Sequence, residues 1–356
     1  MKKRIKNLDS LRGLLAILVL LYHLPLVSRA VGLPYFNDLP IFHRGYHAVA
    51  VFFCLSGYLI IGLLYDEKKR TGGIDIKNFY IRRVLRLYPV YYLVMFFGFF
   101  FYHYLLPTLN VPFQINYDLY QGLLLCIGFL PNVFAKLYDP GSILSILWSI
   151  GIEEQFYLII APVLFTLPLH KYSKYLLIFT IVYFIAFHTE MLSILMEFGL
   201  FYFFMSMGGL LAIWELKGYS IAFKSFAMRV LVYVVFVVHF ATNLFQFENV
   251  MVQNGFELIL FNLLIVNLAN DERITMGSKF ANYLGRISYG IYMYHMIVIN
   301  FVLFVFLEIQ KRMALDTWTT VLVINAITLL LTIFVSHISY KYFELYFLRL
   351  KKRFRK

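Results

Sequence analysis

The hydrophobic pattern of this chain consists of long unbroken runs, not alternation. Apolar stretches of about 18 residues or more recur from Leu11 to Lys341, each long enough to cross the hydrocarbon core of a bilayer as a helix. A backbone in lipid must satisfy its N–H and C=O groups within its own segment or within a closed barrel, and the period-2 pattern of barrel strands is absent. The runs predict helices over 11–28, 47–65, 87–106, 147–167, 174–190, 198–214, 229–246, 254–269, 287–307 and 318–340, with an eleventh apolar segment at 119–135. No internal repeat, linker or low-complexity stretch divides them, so residues 1–356 read as a single transmembrane domain.

Whether 119–135 crosses decides the orientation of everything after it. If it does not cross, 27 of the 32 Lys and Arg residues share the side of the N-terminus, leaving Arg29, Arg44, Lys136, Lys311 and Arg312 on the other. If it crosses, the split becomes 15 to 17. The positive-inside rule selects the first arrangement. The expected fold is therefore an all-α polytopic membrane protein with ten transmembrane helices, both termini cytoplasmic. The segment 119–135, bounded by Pro107, Pro112, Pro131 and Pro140, becomes a re-entrant or interfacial piece on the outer side.

Composition agrees: with 61% hydrophobic and 14% charged residues, the chain lacks the polar surface to coat a water-soluble globule. The net charge of +13 sits in short clusters between apolar runs, so it reads as a topology signal, and no nucleic-acid partner is expected. Residues 1–28 resemble a signal peptide superficially, but no small-residue cleavage site follows, and the segment reads as an uncleaved first span. Cys54 and Cys126 suggest neither a disulfide framework nor a metal site.

Against this apolar background a few polar groups carry the candidate chemistry. The first span holds Arg12 at its inner boundary and His23 eleven residues on, a rise of about 16 Å and close to three full turns. Both then share one face, directed into protein because ionisable groups avoid lipid. A snorkelling arginine and an interhelical histidine bond would explain them blandly, yet an imidazole is costly in lipid and suited to proton transfer. Span two carries FFCLSG at 52–57, where Ser56 and Gly57 suit a close helix contact. IRRVLRLYP places Arg82, Arg83 and Arg86 at the inner mouth of span three, either as a topology anchor or as a phosphate grip.

Span four begins WSIGIEEQFY, with Glu153 and Glu154 in its outer half. Adjacent helical positions point about 100° apart, so one of the two should face His23 and orient it as a general base. Span nine begins ISYGIYMYH, with Tyr289, Tyr292 and His295 along one side, where an interhelical hydrogen bond is the plainer role for His295. His43, His47, His103, His170, His188, His239 and His337 show no metal-ligand spacing.

Taken in order, these segments resemble the acyltransferase family 3 of membrane proteins, which O-acylate bacterial surface carbohydrates. The resemblance covers nearly the whole chain. It rests on Arg12 and His23 with ten residues between them, FFxLSG at 52–57, the cluster Arg82, Arg83 and Arg86, WSxxxEEQFY at 148–157 and SYxxYxxH at 288–295. Ala48 stands where the family often has glycine, and the chain ends in LKKRFRK without the extra periplasmic esterase-like domain of some relatives, leaving acceptor handling to the membrane domain.

The resemblance implies an enzyme of the bacterial inner membrane that moves an acyl group, usually acetyl, from cytoplasmic acyl-CoA to a hydroxyl of an extracytoplasmic carbohydrate or lipid-linked glycan such as O-antigen or exopolysaccharide. His23 would take the hydroxyl proton with Glu153 or Glu154 orienting it, while Arg12, Arg82, Arg83 and Arg86 hold the donor and Ser56, Tyr157, Tyr292 and His295 support the site. Direct transfer and a two-step route through His23 or Ser56 both stand. No permanently bound cofactor and no metal are expected; acyl-CoA is a co-substrate, and membrane lipid surrounds the protein. Two competing readings are a transporter or flippase for a polar or anionic solute, which buried charges would also suit, and a structural partner within a membrane complex.

Overall fold

The computed structural model describes residues 5–219, 222, 225–271, 277–313 and 316–354. Among the described residues there is no strand, and every predicted run holds a helix. In chain order these are α1 (Lys6–Ala30), α2 (Gly45–Thr71), α3 (Ile76–Phe100), α4 (Leu119–Ile127), α5 (Pro131–Tyr138), α6 (Trp148–Thr166) and α7 (Tyr172–Phe187). They continue with α8 (Tyr202–Leu216), α9 (Phe226–Ala241), α10 (Val250–Asn270), α11 (Lys279–Gln310) and α12 (Thr317–Ile338). The basic positions at 1–4, 224, 272–276 and 355–356 that entered the charge count lie outside the described residues.

Seven helical stretches, built on α1, α2, α3, α6, α10, α11 and α12, are long and apolar enough to cross a membrane. An eighth is α7 taken together with the short helix that follows it, bent by 96°. The two remaining predicted spans, α8 and α9, are apolar helices of 15 and 16 residues. The segment 119–135 is broken. Its two helices have nine and eight residues, each about 12–14 Å long, less than half the hydrocarbon thickness. Between them Phe129 takes a left-handed φ of 57°, which ends any continuous helix. The expectation that this segment does not cross as one helix agrees with its build.

Two backbone crossings set the core. On α1, a Cβ at Gly13 would press on Leu284 and Gly285 at 2.9 Å, and one at Gly285 of α11 would overlap the Asp9 carbonyl. On α2, a Cβ at Gly57 would overlap the Met205 backbone of α8, and one at Gly208 the Cys54 carbonyl. The small-residue contact read from FFCLSG is thus present at Gly57. In lipid, where apolar contact with a neighbour gains little over contact with acyl chains, such close backbone approach supplies dispersion contacts that larger side chains would block. The outward belt is apolar: Phe96, Ile159, Val237, Phe301, Leu322 and Phe334 are all exposed.

A polar clasp joins α2 to α6. The last carbonyls of a helix have no intrahelical donor, and at the end of α6 the Lys68 ammonium fills that role. Its Nζ donates to the carbonyls of Leu164, Phe165 and Leu167 at 2.9, 2.8 and 2.6 Å. A cation at a helix C-terminus also complements the macrodipole.

Candidate active site

Between α1, α2, α3, α6 and α11 lies a cavity of about 100 Å³. Arg12, Arg83 and Arg86 line it. Arg83 and Arg86 are three apart on α3 and share a face. None of the three arginines forms an ion pair among the described residues. The Nε of Arg83 is buried without a hydrogen-bond partner, and its guanidinium lies over the Phe79 ring, 5.8 Å from the centroid. Three guanidinium groups gathered in low dielectric outnumber the one carboxylate that shares the cavity, Glu153, and make a site for an anion.

Arg82 does not share it. One residue before Arg83, it points about 100° away; its guanidinium donates to the Phe354 carbonyl at 2.9 Å and pairs with Glu67 Oε2 at 3.3 Å. Of the four arginines expected to act together, the cavity brings together Arg12, Arg83 and Arg86 and leaves out Arg82, a correction to the expected set.

A hydrogen-bonded chain crosses the same cavity. The Tyr157 hydroxyl donates to Glu153 Oε2 at 3.0 Å and also bonds Ser56 Oγ. A phenol has one hydrogen, so with it directed at Glu153 the serine is the donor in the second bond. Glu153 faces the cavity, whereas Glu154 is buried away from its lining with Oε1 unbonded. Which of the adjacent carboxylates joins the cavity, open from sequence, is thereby answered.

The orientation of His23 by a carboxylate is also corrected. Neither glutamate bonds it, because Glu153 accepts from Tyr157 in the Arg12 cavity and Glu154 turns off it. His23 Nδ1 instead lies 2.9 Å from the Val19 carbonyl and 3.2 Å from His295 Nε2, and His295 Nδ1 lies 2.5 Å from the Tyr292 carbonyl. Carbonyls only accept, so each neutral ring carries its hydrogen on Nδ1. His295 Nε2 then accepts a share of the His23 Nδ1–H. His23 Nε2, with no partner among the described residues, keeps a free lone pair, as a general base requires. Tyr292 joins the two regions: it lines the cavity, and its ring centroid lies 5.7 Å from that of His295.

Two further lining residues, Ser149 and Tyr289, lie within the 148–157 and 288–295 motifs but had no role assigned from sequence. Ser149 Oγ bonds the Tyr292 hydroxyl at 2.6 Å, and the Tyr289 hydroxyl donates to the Leu87 carbonyl at 2.8 Å, fastening α11 to α3. Ser149 sits among apolar neighbours where small polar residues commonly satisfy a helix contact, so its place beside the site follows only from packing.

Residues 5–337 match the family described as an acyltransferase domain. Among curated relatives, the chain is 34% identical over 162 residues to the peptidoglycan O-acetyltransferase OatA of Listeria monocytogenes, a match covering 44% of this chain and 24% of that one. It is 28% identical over 385 residues to a putative O-acetyltransferase of Staphylococcus aureus, covering 96% of this chain and 56% of that one. With the putative peptidoglycan O-acetyltransferase YrhL of Bacillus subtilis it shares 29% identity over 163 residues, 44% of this chain and 23% of the relative. The chain thus spans little more than half of these relatives' lengths at most. No solved structure matches it.

Proposed function

This chain belongs to the acyltransferase family 3, and we propose that it moves an acetyl group from cytoplasmic acetyl-CoA to a hydroxyl of an extracytoplasmic glycan. Family membership and several helices long and apolar enough to cross a membrane support an acyltransferase reading over the transporter and structural-partner ones. The observation that supports the finer reading is the convergence of Arg12, Arg83 and Arg86, without ion-pair partners, on a cavity at one end of the helix whose other end carries His23.

In this reading the three arginines hold the phosphate-bearing donor, and its thioester extends along α1 toward His23. His23 Nε2 takes the proton of the acceptor hydroxyl as its oxygen attacks the thioester carbonyl carbon. The C–S bond then breaks, and the departing thiolate recovers that proton. The names of the Listeria and Bacillus relatives favour a cell-wall glycan of the peptidoglycan kind as acceptor, over O-antigen or exopolysaccharide.

Arg83→Ala is expected to weaken acetyl-CoA binding by about 10- to 100-fold, the worth of a charge-assisted hydrogen bond. Arg82→Ala, whose guanidinium is engaged elsewhere, should change it by less than about threefold. Binding of radiolabelled acetyl-CoA to the purified chain measures both. Equal losses would remove the three-arginine site, and a wild type that neither binds nor hydrolyses the donor would sink the acetyl-CoA reading.

The proposal also needs both ends of the chain inside and ten crossings. Cys54 and Cys126 are buried, so a new surface cysteine can be labelled against a quiet background. Lys136→Cys is expected to react with an impermeant maleimide on intact cells, and Lys171→Cys only after permeabilisation. Labelling of Lys171→Cys from outside would overturn this topology.

A further inference from the structure

Away from the arginine cavity, where α2 and α10 begin and α9 ends, side chains from three helices meet. His47 Nδ1 lies 2.5 Å and His239 Nε2 3.4 Å from the same oxygen, Glu257 Oε1. The three ligand atoms all fall within 4.8 Å of one another. Glu257 and His239 are fully buried, and neither ring nitrogen of His239 has a hydrogen-bond partner. Gln253 donates to that same glutamate oxygen. Donors therefore crowd one oxygen while an imidazole aimed at it bonds nothing, an arrangement that is costly for buried polar groups unless something is held between them.

We propose that His47, His239 and Glu257 bind a divalent transition-metal ion of the zinc class. Two imidazole nitrogens and a carboxylate oxygen suit zinc, whereas calcium and magnesium favour all-oxygen sets. Zinc ligands at about 2.0–2.1 Å in a tetrahedron stand about 3.4 Å apart; His239 and Glu257 already have that spacing, and His47 would withdraw by about 1 Å. His47 and Glu257 also line a cavity of about 190 Å³ bordered by Tyr46, Gln253 and Asn254, with room for a water or a ligand oxygen. Arg44 is the nearby cation. Its guanidinium donates to the Thr242 carbonyl and Asn243 Oδ1 and forms no ion pair with Glu257, so the carboxylate is left to the imidazoles. The histidines stand 192 residues apart in the chain, which hid the set from any reading of spacing.

The test is independent of acyl transfer. The full chain, purified in detergent without a polyhistidine tag, is stripped with EDTA and dialysed against micromolar free Zn²⁺. Elemental analysis is expected to find about one equivalent, and Co²⁺ in its place should give the visible absorption of a tetrahedral site. His239→Ala should retain less than about a tenth of an equivalent. His239→Cys should restore binding and add a thiolate-to-cobalt band in the near ultraviolet, which decides the matter even if the alanine variant does not fold. A wild type without metal, a full equivalent on His239→Ala, or a Co²⁺ spectrum unchanged by cysteine would each overturn the proposal.

Discussion

Alanine at position 23 is expected to lower acetyl transfer about 10²- to 10⁴-fold, the usual contribution of a positioned general base, with acetyl-CoA affinity kept within about threefold. The separation follows from geometry. His23 lies eleven residues along α1 from Arg12, so removing its ring leaves the arginine cavity as it was. Single-turnover transfer from radiolabelled acetyl-CoA to a glycan acceptor, run beside donor binding, reads both quantities; transfer that survives in His23→Ala would remove the ring from the chemistry. In the proposed mechanism His295 acts through His23, which it contacts at 3.2 Å. His295→Gln, whose amide oxygen can still accept from the His23 Nδ1–H, should retain about tenfold more transfer than His295→Leu, with donor affinity equal in the two. A merely space-filling role for His295 would let leucine serve as well as glutamine.

Valine at position 57 should prevent folding altogether. The added Cβ would coincide with backbone atoms of Met205, not with the movable end of a side chain, so α2 and α8 would have to separate. Overpacking that shifts backbone costs about 1–3 kcal/mol and at times more, and helices in lipid depend heavily on close packing, beside their interhelical hydrogen bonds, to hold together. Size-exclusion profiles in mild detergent should show the loss of monodisperse protein. Gly255→Ala provides the comparison, since there a Cβ meets only the Phe184 ring edge at 3.5 Å and helix propensity improves by about 1 kcal/mol. A monodisperse Gly57→Val would mean that this crossing is looser than its backbone distances indicate.

Positions of helices were readable because a lipid solvent forces length and apolarity on each segment, and both can be read along the chain. The distribution of Lys and Arg likewise predicted that 119–135 would not cross. Pairings between helices were less legible. Nothing local to His23 points to a partner 272 residues away, because which faces meet depends on crossings such as Gly13 with Gly285. Within one helix the limit was angular. Glu153 and Glu154, like Arg82 and Arg83, are neighbours whose directions differ by a fixed amount, but the rotation of the helix about its own axis is set by packing. A short glance at periodicity could rank each pair as candidates and could not choose between the members.

The Lys68 clasp bears on that rotation. It secures α2 to the terminal carbonyls of α6, and two turns or more away the same helices are joined again where Ser56 meets Tyr157. Sliding one helix past the other by a single turn, about 5.4 Å, would sever both attachments together. The two joints act as rivets on a pair of rails: they fix register and roll at once, so the serine, the phenol and the carboxylate of Glu153 keep their sequence of contact through any motion that opens the bundle as rigid rods.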